Sequence, residues 1–169
     1  MAGRGAEGNG VDRRGAAWQG RLRATYRSLE TKRIHAVLAE MLKIWPGDTA
    51  IQNDEAYMRL LLMPMQGGDP AELKAIEELA AGLIQKEPKS LPHRTLLALS
   101  RLRQGRADAR EAYLNTTISA AVVSPGALAV HTAMLAANSN LEEARKEAAA
   151  ANLDLLLPEE RALFEEFIP

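Results

Sequence analysis

Apolar residues along most of the chain recur at intervals of three and four, the spacing that places them on one face of an α-helix. The runs with this spacing are Trp18–Leu29, Ile34–Trp45, Ile51–Met63, Leu73–Leu83, Leu96–Leu102, Ala109–Thr116, Leu128–Leu135, Ala144–Ala151 and Leu163–Phe167. The β-branched and aromatic residues that favour strands are few and scattered. The sequence therefore predicts an all-α protein of nine helices.

Proline, glycine and capping residues mark where these helices begin and end. Pro46-Gly47 ends the second helix, and Thr49 with Gln52 is placed to form a capping box at the start of the third. Asp69-Pro70 combines a capping acid with proline at the first helical position. Gly105 is expected to form a turn between the fifth and sixth helices. Further signals of this kind are Pro88, Ser124-Pro125, Asn140 and Pro158.

The two ends of the chain differ from this repeating middle. Residues 1–15 contain five glycines and almost nothing to bury, which predicts a disordered tail. The whole chain has a net charge of −1. Residues 1–33, however, carry eight basic and three acidic side chains, whereas residues 141–169 carry three basic and eight acidic side chains. Such asymmetry would favour head-to-tail attraction between molecules. Solvated helix faces with chance clustering are the simpler interpretation.

Consecutive helix pairs resemble the tetratricopeptide repeat, a 34-residue helical hairpin with bulky, small and apolar residues at set positions and a proline near its end. The residues that carry the resemblance are Trp18, Leu22, Ile34, Leu38, Met41 and Pro46 in the first copy; Gln52, Ala56, Ile76, Ala80, Leu83 and Pro88 in the second; Ala98, Gly105, Ala109, Tyr113 and Thr116 in the third; and Ala144, Ala148 and Ala151 in the fourth. The resemblance implies about four repeats over residues 16–157. These would form a right-handed α-α superhelix of antiparallel hairpins, with residues 158–169 as a C-terminal capping helix.

The same resemblance implies a concave groove, lined by the first helix of each hairpin, that binds a peptide or protein segment. The expected groove positions are Gln19, Arg23, Arg27, Asn53, Tyr57, Leu61, Thr95, Leu99 and Arg103. Some members of the family hold a C-terminal carboxylate with a basic clamp, but Pro92 and Leu96 stand where its third-repeat cations belong. The implied function is a non-catalytic protein–protein interaction scaffold without a cofactor, and the partner stays open.

The candidate chemical groups do not form a recognisable catalytic or metal site. The chain has no cysteine, which excludes disulfides and thiolate ligands. His35, His93 and His131 lie far apart in sequence; we expect His131 to be packed and the other two to lie at the surface or at a helix start. Glu159 and Glu160 complement the dipole of the last helix and are interpreted as a solvated face. The sequence therefore predicts neither enzyme activity nor a metal.

Two alternative functions remain open, and so does the role of one loop. An arginine-rich third hairpin and the basic N-terminal arm favour nucleic-acid binding, although balanced charge and few stacking aromatics disfavour it. Self-association into a homo-oligomer is the second alternative. The Met63-Pro64-Met65 loop suits either adaptable contacts or the filling of a gap in the core. The arginines of the third hairpin are Arg94, Arg101, Arg103, Arg106 and Arg110.

Location is predicted from what the chain would need for export or membrane insertion. No apolar run approaches the ~20 residues of a membrane span. The first residues also lack the apolar core of a signal peptide. We therefore expect no membrane insertion and a cytoplasmic location, unless the chain is a fragment of a larger exported or membrane-anchored protein.

Overall fold

The computed structural model describes residues 7–64, 68–114, 116, 123–163 and 165, with side chains from residue 15 onward. Every regular element in these ranges is helical, which confirms the all-α prediction. The α-helices are α1 Glu7–Tyr26, α2 Thr31–Ile44, α3 Thr49–Leu62, α4 Pro70–Lys86, α5 Leu91–Arg103, α6 Pro125–Ala137, α7 Leu141–Ala150 and α8 Pro158–Ala162. Two short 3₁₀ segments span Ala107–Tyr113 and Leu153–Leu155.

The proline-marked helix starts are confirmed in atomic detail. Asp69 caps α4, its Oδ1 accepting a hydrogen bond from the Ala71 amide at 2.9 Å, and Pro70 follows at the first helical position. Ser124 caps α6 in the same way, with its Oγ 3.3 Å from the Ala127 amide nitrogen. Each cap satisfies an amide that has no partner within its own helix.

The capping box expected at Thr49 is wrong. The cap of α3 is Asp48, whose Oδ1 accepts from the Ile51 amide at 3.0 Å. Gln52 instead donates from its side chain to the Pro46 carbonyl at 2.6 Å. The helix cap that was expected from Thr49 is thus supplied by Asp48, one residue earlier. Aspartate is itself a strong N-cap residue.

The predicted sixth helix is a 3₁₀ segment. It buries Ala109, Ala112 and Tyr113 as expected. Its carbonyls find a partner outside the segment, since the Arg94 guanidinium donates to Ala112 O at 2.9 Å and to Leu114 O at 3.4 Å. Hydrogen bonds from Arg94 of α5 thus satisfy carbonyls that a continuing helix would have satisfied with its own amides. The 3₁₀ segment ends at Tyr113.

Helix α1 begins inside the segment that the sequence predicted to be a disordered tail. That tail was assigned to residues 1–15, whereas the helix starts at Glu7. Glycine weakens a helix by about 1 kcal/mol per residue without forbidding it, so the glycines did not end the helix that leads to Trp18. Residues 1–6 lie outside the described ranges.

Consecutive helices pack as neighbours, and a second set of contacts joins every other helix. Helix α2 lies against α1 and α3, α4 against α5, α5 against the first 3₁₀ segment, and α7 against α6. In addition, α5 contacts both α3 and α6, so these three first helices of successive hairpins lie side by side. The right-handed superhelix itself stays a prediction.

The last helix returns to the middle of the molecule. Helix α8 contacts α3 as well as α6. We call residues 153–163 the C-terminal segment; its Leu156, Leu157 and Leu163 are buried. The segment therefore lies against the second and fourth hairpins. Phe164 and Phe167, also expected to belong to this helix, fall outside the residues whose side chains are described.

The core follows the predicted helical stripes. The largest fully buried side chains are Ile34, Leu38, Met41, Leu60, Leu61, Ile76, Leu83, Leu96, Leu99, Val130 and Leu156. In the methionine loop, Met63 packs against this core, while Met65 lies outside the described residues. Among the helices described, none combines the length and apolarity that crossing a bilayer requires.

Candidate functional site

A cavity of about 580 Å³ lies on the side where α3, α5 and α6 meet the C-terminal segment. Helix α3 contributes one of its faces, and the first turns of α5 and α6 form further walls. The end of α1 and the C-terminal segment complete it. We call this space the central cavity. It collects residues from five separate parts of the chain, because the first helices of the hairpins pack side by side and the C-terminal segment lies against them.

A tyrosine–glutamate pair joins two walls of the central cavity. The Tyr57 hydroxyl donates to Glu160 Oε1 at 2.9 Å, and the Leu157 amide donates to Glu160 Oε2 at the same distance. Gly126 in the first turn of α6 faces this pair. A Cβ at that position would collide with the Glu160 carboxylate and lie 2.9 Å from the Tyr57 hydroxyl oxygen. The glycine thus leaves the room that the carboxylate occupies.

A second pair, Asn53 and Asp54, lies on the α3 wall. Asn53 is only 4% exposed, and its Nδ2 donates to Asp54 Oδ1 at 3.1 Å. The Oδ1 of Asn53 has no hydrogen-bond partner among the described residues. A buried carbonyl oxygen without a partner costs roughly 1–3 kcal/mol. Asn53 is therefore a polar group held in the cavity wall at a cost to stability.

Burial makes both carboxyl groups harder to ionise. It raises the pKa of Glu160, against the hydrogen bonds from Leu157 and Tyr57, which favour the charged form. It likewise raises the pKa of Asp54, against the hydrogen bond from Asn53. The pKa of the Tyr26 hydroxyl is raised by its own burial and then by the charges of Asp54 and Glu160. The carboxyl groups of Asp54 and Glu160 therefore both lie near enough to Tyr26 to raise the pKa of its hydroxyl.

The mouth of the cavity combines charge with an exposed apolar side chain. Arg27 and Asp154 line it and are exposed to solvent. Leu155 lines it as well and is 59% exposed.

The predicted groove residues divide into three groups. Arg27, Asn53, Tyr57 and Thr95 line the central cavity. Gln19 and Arg23 are exposed on α1 and do not line it. Three further positions lie in the protein interior and do not line it either: Leu61, Leu99 and Arg103. The Nη2 of Arg103 lies 3.4 Å from the Leu61 carbonyl oxygen.

The interpretation of Glu160 as part of a solvated face is wrong, because the side chain is 6% exposed. Its position three residues after Leu157 indicated only a role at the helix start, and the structure confirms this through the Leu157 amide. Its burial depends on Tyr57 and Gly126, which lie far away in sequence. No local signal marks it.

Two of the three histidines, His35 and His131, have a carboxylate partner. His93, expected at the surface or at a helix start, lies in the first turn of α5; it is 3% exposed, and its Nδ1 has no hydrogen-bond partner among the described residues. His35 Nε2 lies 3.1 Å from Glu55 Oε1. His131 is packed as expected: its Nδ1 lies 2.8 Å from Glu147 Oε2, and its ring meets the Tyr113 ring edge to face.

Most arginines of the third hairpin are engaged with this chain. Arg101 and Arg106 both bond Glu77, at 3.1 and 2.8 Å. Partial burial alone would raise the pKa of Glu77, but hydrogen bonds from Gln104 and Arg101 and the nearby guanidinium charges hold it below its usual value. Arg94 bonds backbone carbonyls. These contacts do not favour a basic surface for nucleic acid.

No family model, no curated protein and no solved structure matches the chain significantly. The tetratricopeptide resemblance stays a prediction, and function has to be argued from the central cavity.

Proposed function

We propose that the protein is a non-catalytic interaction scaffold that binds a peptide or protein segment in the central cavity. The observation that carries the proposal is the cavity itself, about 580 Å³ in volume and lined by four of the nine positions at which the tetratricopeptide resemblance expects groove residues. Ligand sites of this size are typically apolar clefts with a few well-placed polar groups.

The composition of the cavity supports a segment with mixed chemistry. Its apolar lining includes Met58, Leu155 and Leu157, while Asn53 and Thr95 supply polar groups. In peptide recognition, apolar anchors supply much of the affinity and hydrogen bonds fix the register. The exposed Leu155 at the mouth gives an arriving segment its first apolar contact.

A pair of exposed leucines allows a sharp test. Leu155 at the mouth of the cavity and Leu114 elsewhere are 59% and 60% exposed. We would place a photo-crosslinking amino acid at one position or the other in the full chain. The proposal expects a protein that crosslinks from position 155 and not from position 114.

The partner identified by crosslinking is then purified, and its affinity for variants of the chain tests the role of the central cavity. Asn53→Ala is expected to weaken the affinity about tenfold, the effect of roughly 1.4 kcal/mol. The control variant Gln19→Ala, on the exposed face of α1, is expected to leave it unchanged. The proposal fails if positions 155 and 114 capture the same proteins, or if Asn53→Ala binds as tightly as the unmodified chain.

A further inference from the structure

We infer that the central cavity is a binding site for an organic cation, a primary ammonium or guanidinium group, held between Asn53, Asp54 and Glu160. Under the proposed function the cation is the lysine or arginine side chain of the bound segment. The inference rests on that function only for the source of the cation. A free amine would supply the same chemistry.

The charges that line the cavity are mostly negative. Carboxyl groups come from Asp54, Asp154 and Glu160, whereas Arg27 is the only basic side chain among the described lining residues. Arg27 is exposed, whereas Glu160 is buried and Asp54 is partly buried. A cation that enters would be attracted by the inner carboxylates, and the low local dielectric strengthens this attraction.

The unpartnered oxygen of Asn53 indicates independently that the ligand is a donor. Asn53 is 4% exposed, lines the cavity and has no partner for its Oδ1 among the described residues. The oxygen itself is withdrawn from solvent, and an amide oxygen only accepts hydrogen bonds, so a ligand that reaches it after a small shift of the side chain must donate. An ammonium group carries three donors and no acceptor.

The two tyrosines fit the same ligand. The side chains of Tyr26 and Tyr57 line the cavity together with Asp54 and Glu160. The face of an aromatic ring attracts a cation by about 0.5–2 kcal/mol. Burial raises the pKa of both carboxyls, and a bound cation would offset that cost by pairing with them.

The arrangement favours an organic cation over a metal ion. Within the described part of the chain, no group of three or more histidine and carboxylate side chains could hold a metal. The apolar residues Met58, Leu155 and Leu157 also line the cavity, and they suit the methylene stem that carries a lysine ammonium.

The test uses the full chain, labelled with ¹⁵N, and titrated with n-butylammonium or with n-butanol, its neutral analogue. We expect n-butylammonium to shift the signals of the Asn53 side-chain amide and of Gly126, while the same concentration of n-butanol leaves them in place. Glu160→Gln and Asp54→Asn should each weaken the binding of n-butylammonium about tenfold or more, the effect of roughly 1.4 kcal/mol. Glu142→Gln, an exposed acid outside the cavity, is the matched control. Equal shifts with n-butanol, or undiminished binding in both cavity variants, would overturn the inference.

A second arm identifies the source of the cation. Two acetylated pentapeptides are compared, alanine peptides with either lysine or norleucine at the centre. Preference for the lysine peptide supports both the inference and the proposed function. If both peptides bind the cavity equally, the cation inference falls while peptide binding stands. If n-butylammonium binds and neither peptide does, the cation site stands and the proposed peptide-binding function falls.

Discussion

Glu160 keeps a carboxyl group where a neutral side chain would be more stable. Burial raises its pKa above the ordinary value, so the folded protein binds this proton more tightly than the unfolded chain does. The stability that this shift contributes is present below the unfolded pKa, ~4.3 for glutamate, and it is lost as the pH rises through the folded pKa. At neutral pH the ionised group therefore costs stability, and binding a cation would recover it.

Replacing Glu160 by glutamine should make the protein more stable at neutral pH. The amide keeps an oxygen for the Leu157 amide and a polar contact with Tyr57, but carries no charge to desolvate. We expect a gain of about 1 kcal/mol at pH 7, shrinking towards zero as the pH falls to 3.

Urea unfolding between pH 3 and pH 7 measures this difference. The control is Glu142→Gln, at an exposed position on α7. Its free energy of unfolding should match that of the unmodified chain at every pH. A gain that does not change with pH would show that desolvation of the charge is not its cause.

At the scale of elements, α5 and α6 end in the same way with different residues. Gly105 follows α5 with φ +67°, its amide donating to Leu102 O at 2.9 Å. Ser139 follows α6 with φ +63°, its amide donating to Ala136 O at 2.9 Å. This left-handed conformation is accessible to glycine and costs other residues about 1–2 kcal/mol. The turn at Gly105 was predicted from its glycine, and Ser139 lies 34 residues later, one length of the repeat that the chain resembles.

Exchanging residue types at these two helix ends should shift stability in opposite directions. We expect Gly105→Ala to lose about 1 kcal/mol and Ser139→Gly to gain about 0.5 kcal/mol, the smaller gain reflecting the greater chain entropy of glycine when unfolded. Thermal unfolding of both variants measures the two changes in stability. Ser139→Ala is the control, since it keeps the Cβ; an equal gain from it would refute the backbone explanation.

Across the whole molecule, the C-terminal segment joins parts of the chain that are far apart in sequence. Glu159 accepts a hydrogen bond from Thr31 at the start of α2. Glu160 accepts one from Tyr57 on α3, 103 residues away. Leu156 and Leu157, which precede these two glutamates in the chain, are buried. The segment therefore contributes to the core as well as to the wall of the central cavity.

Two leucines of this segment should differ sharply in their effect on stability. Leu157 is 3% exposed and Leu155 is 59% exposed. Leu157→Ala leaves a cavity and should cost about 2–4 kcal/mol, whereas Leu155→Ala should stay within about 0.5 kcal/mol. Denaturant unfolding of both variants measures the contrast. Similar losses from the two would mean that the segment does not pack across the hairpins.

The candidate site was predictable only in part. Asn53, Tyr57, Thr95 and Arg27 were expected in a groove and line the central cavity. Leu61 and Leu99 were expected there too but lie in the core, because helix periodicity defines the buried face of a helix without saying which neighbour covers it. Glu160 was missed for the same reason, since its burial depends on Tyr57 and Gly126 from other helices.

The sequence by itself determined most of the helices, most of their ends and much of the core, because apolar spacing, prolines and capping acids act over a few neighbouring residues. Asp69-Pro70 and Gly105 are examples whose local chemistry was sufficient. Only the tertiary structure decided that the C-terminal segment returns to α3, and with it that Asn53 and Glu160 line one cavity. Contacts across 103 residues depend on how the helices pack, and a local pattern carries no record of that.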